Sequence, residues 1–347
     1  MRCCLRFGSI TKLPDNVGEL QHLQTLDVRG TIIKELPRTI SKLQQLARLY
    51  VDWDARFPDG IIGKMLSLEE LRQYGVVSYE QGQSLQQFSK LTKLRTLKIK
   101  WSFELPDGSE GRSQAERIHS YSCSIRKLCF RRHLIYRVPN WMGSLGNLSV
   151  LELTIICVRP EDVEILGEIP SLLFLNLVTA GGTSGRIVFP GNNRFRSLKY
   201  FSLCISLCGT SLEFGAGSMS KLEHVKLEFR AHEMECLNGA SSLGIQHLSS
   251  LNKVEIEIRS NRRVYDGIYN PADDDHDDTV RCISRAITAA IETLPNRPTL
   301  RFETGHANCK HFESDETDKN EEEEQTDKEE ETGENEVAQQ EESGGNN

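Results

Sequence analysis

No stretch of this 347-residue chain approaches the roughly 18 consecutive apolar residues that a membrane helix needs, and no apolar run follows a basic start as a secretion signal would. That double absence reads as an intracellular protein, cytoplasmic or shared between cytoplasm and nucleus. A disulfide framework is missing as well: the ten cysteines scatter singly, as at Cys157, Cys236 and Cys282, or sit at core-like repeat positions, which suits a reducing compartment. Neither Cys204 with Cys208, nor Cys309 with His306 and His311, has the two-pair spacing of a zinc site, so no metal is expected.

Catalytic signals are equally scarce. The nine histidines form no Ser-His-Asp grouping and no partnership with paired carboxylates, so the chain is not expected to be an enzyme. Nucleotide binding would want Gly-x-x-x-x-Gly-Lys-[Ser/Thr]; the nearest segment, Gly181-Gly182-Thr183-Ser184-Gly185-Arg186, has neither the lysine nor the hydroxyl, and no cofactor is expected. The aspartate run of 273–278 lacks a central glycine for calcium and reads as a solvated loop.

What the chain does have is a period. Leu13, Pro14, Val17, Leu20, Leu23, Leu26 and Val28 recur 23 residues later as Leu36, Pro37, Ile40, Leu43, Leu46, Leu49 and Val51. A fixed period of about 20 to 29 residues with leucine-x-x-leucine-x-leucine spacing is the signature of a leucine-rich-repeat solenoid. The apolar pair expected on each short strand then falls at Leu26/Val28, Leu49/Val51, Leu97/Ile99, Leu151/Leu153, Leu175/Leu177, Phe201/Leu203, Val225/Leu227 and Val254/Ile256. Weaker copies lie at Leu71/Gln73 and Leu128/Phe130, making ten strands, with a partial one at Cys3/Leu5. The predicted fold class is an α/β solenoid: an irregular leucine-rich-repeat horseshoe with a parallel concave sheet of short strands.

Between Leu97 and Leu128 lies the largest insertion, where 112–121 is compatible with a short helix. Residues 277–294 read as an amphipathic helix stopped by Pro295, and with the strand-like 299–302 they form an expected cap. The expected repeat domain is therefore 1–302. A cap is missing at the other end, where the chain starts within a repeat strand; this reads as a truncated product or a fragment of a longer receptor. Regular repeats often place asparagine after the strand; here those places hold Thr31, Asp54, Ser102, His133, Ile156 and Ala180, so the turn carbonyls need other partners.

Charge divides the chain. From Glu313 onward there are 16 acidic residues and two lysines, so this part carries −14 of a net charge of −8 and the rest carries +6. With almost no apolar residues, 303–347 is expected to be a disordered acidic tail, able to complement a basic surface. A body charge of +6 without a nucleic-acid motif makes nucleic acid a poor partner.

The stretch Thr31 to Leu43, with Thr31-Ile32-Ile33-Lys34-Glu35-Leu36-Pro37, and the closing 291–300 resemble the carboxyl-terminal repeats of plant intracellular nucleotide-binding, leucine-rich-repeat disease-resistance proteins, above all the coiled-coil class of grasses. The resemblance covers residues 1 to about 302. It implies a protein-binding module of the defense response, recognising pathogen effectors or a host guardee, or regulating a nucleotide-binding switch domain whose phosphate loop this sequence does not contain. The other class in view is an intracellular signalling scaffold or ubiquitin-ligase adaptor.

In such a solenoid, residues flanking the strand leucines face the concave side and are open to a protein ligand. Ten strands about 4.8 Å apart span roughly 45 Å, enough for a standard interface of about 800 Å² per partner. The expected contact stripe is Arg48, Tyr50, Arg72, Tyr74, Lys98, Lys100, Lys127 and Arg131, becoming aromatic at Phe174 and Tyr200.

Overall fold

A computed structural model of the chain describes residues 1–6, 9–76, 88, 90–101, 124–135, 137–179, 187–191, 194–205, 212–230, 243–260, 284–285 and 287–306. The expectations for 112–121, 181–186, 273–278 and 313–347, and those for Cys208, Cys236, Cys282 and Cys309, lie outside the described residues. The expected cap helix falls on them only in part, with helix at 284–285 and 287–292.

One parallel sheet runs through the repeats. Its strands are β1 (Arg2–Cys4), β2 (Thr25–Asp27), β3 (Arg48–Tyr50), β4 (Glu70–Val76), β5 (Thr96–Trp101), β6 (Lys127–Ile135), β7 (Val150–Ile155) and β8 (Phe174–Thr179). A separate short strand, β9 (Ile187–Phe189), precedes β10 (Tyr200–Ile205), and a second, β11 (Leu212–Phe214), precedes β12 (His224–Arg230), β13 (Lys253–Ser260) and β14 (Thr299–His306). All but β9 and β11 join in chain order into twelve parallel strands. The ten expected strands, the partial one at Cys3 and the closing segment all belong to it, and the last extends to His306 rather than 302.

The leucine spacing explains this sheet physically. Leu26, Leu49, Leu71, Leu151, Leu175, Phe201, Val225 and Val254 are each 0 % exposed, so they form the floor of one continuous core. Each contributes roughly 1.5 to 3 kcal/mol only because a neighbouring coil covers it.

Backbone groups solve the problem left by the missing asparagines. The carbonyl two residues before the first strand leucine accepts two N–H groups from the next coil. Gln24, Ala47, Glu69, Arg95, Arg126, Ser149, Leu173, Lys199 and Glu223 all do so, at 2.7 to 3.1 Å. Two residues earlier in the coil, serine hydroxyls donate to the preceding coil: Ser124 to the Thr92 carbonyl at 2.6 Å, Ser171 to Gly146 at 2.6 Å, Ser197 to Pro170 at 2.9 Å and Ser250 to Ser220 at 2.6 Å. Asn296 takes the same place in the final coil, donating to Ser249 at 2.8 Å. The side-chain bonds lie at exposed positions and tie each coil to the one before it, beside the main-chain ladder.

The convex side is varied. Pro14, Pro37 and Pro139, with φ of −69°, −70° and −66°, open the short 3-10 turns Asp15–Glu19, Arg38–Lys42 and Asn140–Ser144. Proline suits that position because its fixed φ fits the extended backbone of an N-cap and its missing N–H is not needed by the turn that follows. The coil after β7 carries a helix, α1 (Pro160–Glu168), fastened by the buried Asp162 carboxylate, which accepts the Val138 N–H at 2.7 Å and the Arg159 N–H at 3.0 Å. Farther on, β9 and β11 pair as a second small parallel sheet over an all-phenylalanine knot. Phe189 lies 5.7 Å from Phe195, 5.0 Å from Phe201 and 5.5 Å from Phe214 between ring centres. The next coil approaches so closely that a Cβ on Gly244, whose φ is +71°, would sit 2.1 Å from the Phe214 carbonyl oxygen.

Two strands depart from the expected alternation. In β4 the register shifts between Leu71, opposite Leu97, and Tyr74, opposite Ile99, with Gln73 at φ 66° in the bulge. The second apolar register place therefore belongs to Tyr74, not Gln73. In β6 the register shifts between Phe130, opposite Leu153, and Leu134, opposite Thr154, so Arg131 falls within a bulge. A bulge adds residues to one strand and reverses the side to which later ones are assigned, which a fixed spacing rule does not anticipate.

Candidate protein-binding face

Parallel pairing sets the flanking residues in straight rows across the sheet. One row runs Thr25, Arg48, Glu70, Thr96, Lys127, Val150, Phe174, Tyr200, His224, Lys253 and Thr299; the next runs Asp27, Tyr50, Arg72, with Lys98, Cys129, Glu152, Asn176, Ser202, Lys226, Glu255 and Arg301 following. Side chains of these rows stand off the leucine floor on the opposite face.

The first third of the face is a closed polar network. Asp27, fully buried, accepts from Arg29 at 2.9 and 3.0 Å and from Arg6. The guanidinium of Arg29 lies 4.9 Å from the centre of the Tyr50 ring and that of Arg72 lies 5.0 Å from it, so the ring is held between two cations. Tyr50 donates its hydroxyl to Glu70 at 2.8 Å, and Arg72 donates to the same carboxylate. Burial, and then the Glu70 charge, push the Tyr50 hydroxyl far above its ordinary range. Tyr50 is consequently only 6 % exposed, which corrects the expectation that it stands open to a ligand. Its ring is a structural part of the network, and Arg72 is committed to Glu70 beside it.

Other members of the expected stripe are dispersed. Arg48 is exposed, 3.9 Å from Glu70. Lys98 and Lys127 are half-buried on the adjacent strands β5 and β6. Lys100 is placed by its backbone opposite Gly75, Tyr74 holds a register place shared with buried Ile99 rather than a place in the flanking rows, and Arg131 sits in the β6 bulge rather than in the regular row. Phe174 and Tyr200 do come together, stacked at 4.3 Å with planes 4° apart, and His224 meets the Tyr200 ring edge-on at 4.6 Å. They form a half-exposed aromatic shelf.

Beyond the shelf the face alternates in sign. Lys226 bonds Glu228 at 2.9 Å and lies 3.8 Å from Glu257, while Lys253 pairs with Glu255 and Arg301 with Glu303. Burial presses the Lys226 ammonium down, but Glu228 and Glu257 outweigh it and the net shift is upward. His224 is 3.6 Å from Glu255, yet burial dominates and lowers its pKa. This whole charged segment, with Asp27 and Arg29, was missing from the expected stripe. The register places were readable from the leucine spacing; the pairing that closes them was not, because it depends on the residue one coil away. Among the described residues there is no group of three metal-binding side chains and no helix long and apolar enough to cross a membrane.

Coil stacking on a leucine period now meets a direct match: residues 4–128 and 108–300 fit the leucine-rich repeat region family. The chain belongs to the leucine-rich repeat region family. Relatives of this leucine-rich repeat region include Disease resistance protein RGA5 of Oryza sativa subsp. japonica, 24 % identical over 324 residues, covering 82 % of the chain and 28 % of that protein. Disease resistance protein Pik-2 of the same organism is 21 % identical over 333 residues, covering 73 % of the chain and 32 % of that protein. The chain thus spans about a third or less of these relatives, and it matches them through repeats. Solved structures with some likeness include a leucine-rich-repeat protein of Leptospira interrogans at 17 % identity, covering 85 % of this chain and 82 % of the other with a TM-score of 0.38. An internalin of Listeria monocytogenes reaches 12 % identity, 74 % and 81 % coverage and a TM-score of 0.39. The repeat region is thereby akin to disease-resistance repeats of rice, and its architecture suits protein interaction.

Proposed function

We propose that the chain is the recognition arm of a plant disease-resistance protein, acting in the cytoplasm or between cytoplasm and nucleus, and that its concave sheet binds a protein. The ligand is a pathogen effector, a host guardee, or the nucleotide-binding switch domain of the defense machinery. One observation carries the reading: a twelve-stranded sheet presents ordered rows of aromatic and charged side chains that the leucine floor does not require. Tyrosine, arginine and large apolar groups so arranged are the usual anchors of protein interfaces. Kinship to rice disease-resistance proteins supports the defense setting.

The decisive comparison is affinity capture from infected and uninfected plant tissue with the full chain and with a variant carrying Arg48→Ala, Lys98→Ala, Lys127→Ala, Phe174→Ala and Tyr200→Ala. A partner taken by the first and lost by the correctly folded second supports the reading. Identical captured sets would refute it.

A further inference from the structure

Charge on the sheet face is mostly self-neutralised. Arg6 and Arg29 meet Asp27, Arg48 and Arg72 meet Glu70, Lys199 meets Glu223 at 2.8 Å, and Lys226, Lys253 and Arg301 each meet a glutamate. At the rim where β5 and β6 begin, Lys93, Arg95 and Arg126 have no such compensation among the described residues. Residues 90–101 and 124–135 hold nine lysines and arginines and no aspartate or glutamate. Lys93, Arg95 and Arg126 are exposed, and none of the three forms an ion pair with another described residue. Arg95 and Arg126 are direct neighbours, since the Arg126 N–H donates to the Arg95 carbonyl at 2.8 Å, and Lys127 follows in the same ladder at 3.0 Å.

From this, the geometry points to a docking place for an acidic segment of a separate polypeptide, centred on Arg95 and Arg126 at the rim where β5 and β6 begin. The inference rests on the protein-binding reading above and specifies the chemistry of the partner. The cations are exposed and held side by side by backbone bonds, so a cluster of partner carboxylates meets two guanidinium groups that form no ion pair with a described residue. At the same rim place Glu69 stands beside Arg95 on one side and uncharged Ser149 beside Arg126 on the other, which bounds the patch. Two strands make it about 10 Å wide. A confined acidic cluster fits such a patch, whereas a nucleic-acid backbone continuing along the rim would carry its phosphates on to Glu69.

The test uses the full chain and a short fluorescein-labelled peptide alternating Glu with Ala, read by fluorescence anisotropy at low salt. Arg95→Glu with Arg126→Glu is expected to weaken binding by about tenfold or more, and Arg95→Gln with Arg126→Gln by less. The charge-matched control, Arg38→Glu with Lys42→Glu on the exposed convex turn, should change it by less than about twofold. Equal losses in both pairs, no measurable binding of the peptide, or tighter binding of a single-stranded oligonucleotide of equal charge would each overturn the inference. A chain that captures a plant partner through Lys98, Lys127, Phe174 and Tyr200 yet ignores the peptide sinks only this inference. A chain that binds the peptide through Arg95 and Arg126 but captures no partner sinks the broader reading instead.

Discussion

Replacing Asp162 with alanine should loosen the solenoid more than any surface change on the same helix. Its carboxylate is 2 % exposed and holds two backbone donors from different segments, Val138 at 2.7 Å and Arg159 at 3.0 Å. The first bond ties α1 to the coil before it, and the second caps the helix start. Hydrogen bonds to an ionised acceptor contribute roughly 1.5 to 3 kcal/mol each, and a buried donor left without a partner costs about 1 to 3 kcal/mol. The Arg159 N–H can turn to water, while the buried Val138 N–H cannot, so Asp162→Ala is expected to cost about 2 to 4 kcal/mol. Asp162→Asn keeps one acceptor oxygen and should cost about 1 to 2 kcal/mol. Glu161→Ala, on the exposed first turn of α1, removes only a helix-dipole interaction of about 0.3 to 1 kcal/mol. Urea unfolding measures the three, and hydrogen exchange at the Val138 amide supplies a local reading that remains valid even if coils unfold separately. If Asp162→Ala costs no more than Glu161→Ala, or leaves Val138 equally protected, the stapling role is refuted.

Two further outcomes are expected. Tyr50→Phe should lose about 1 kcal/mol with the Glu70 hydrogen bond, whereas Tyr50→Ala, which empties the space between Arg29 and Arg72, should lose about 3 to 4 kcal/mol; equal shifts in the urea midpoint would count against the cation sandwich. His224 is held below its ordinary value of 6.5 by burial, against the pull of Glu255 and with Lys253 and Lys226 adding to the lowering. The unfolded chain therefore takes up the proton first, so this contribution to stability is complete above pH 6.5 and declines as pH falls from there through the lowered value. His224→Gln should flatten that decline in thermal melts, and identical slopes would refute the assignment.

The strands were legible because one leucine pair per coil both names the strand and sets its register, as at Leu175/Leu177 opposite Phe201/Leu203. Legibility failed where a local insertion intervened: no spacing rule tells that Gln73 adopts φ 66° and passes the next register place to Tyr74. The sheet formed by β9 and β11 carries no sequence signal of its own, because Ile187 and Phe189 resemble any short apolar run. On the binding face, positions could be assigned from the period, but availability could not. Whether Tyr50 is open or clamped depends on Arg29 and Arg72, which reach it from the two neighbouring coils.

The carbonyls that each accept two N–H groups at 2.7 to 3.1 Å belong to Gln24, Ala47, Glu69, Arg95, Arg126, Ser149, Leu173, Lys199 and Glu223. Acidic, basic, amide, hydroxyl and aliphatic side chains all occur there, since the bond is made by the main chain alone. Stacking grammar and surface vocabulary are thus written in different atoms. A substitution at that rim can therefore change the charge and shape of the surface without altering how one coil sits on the next.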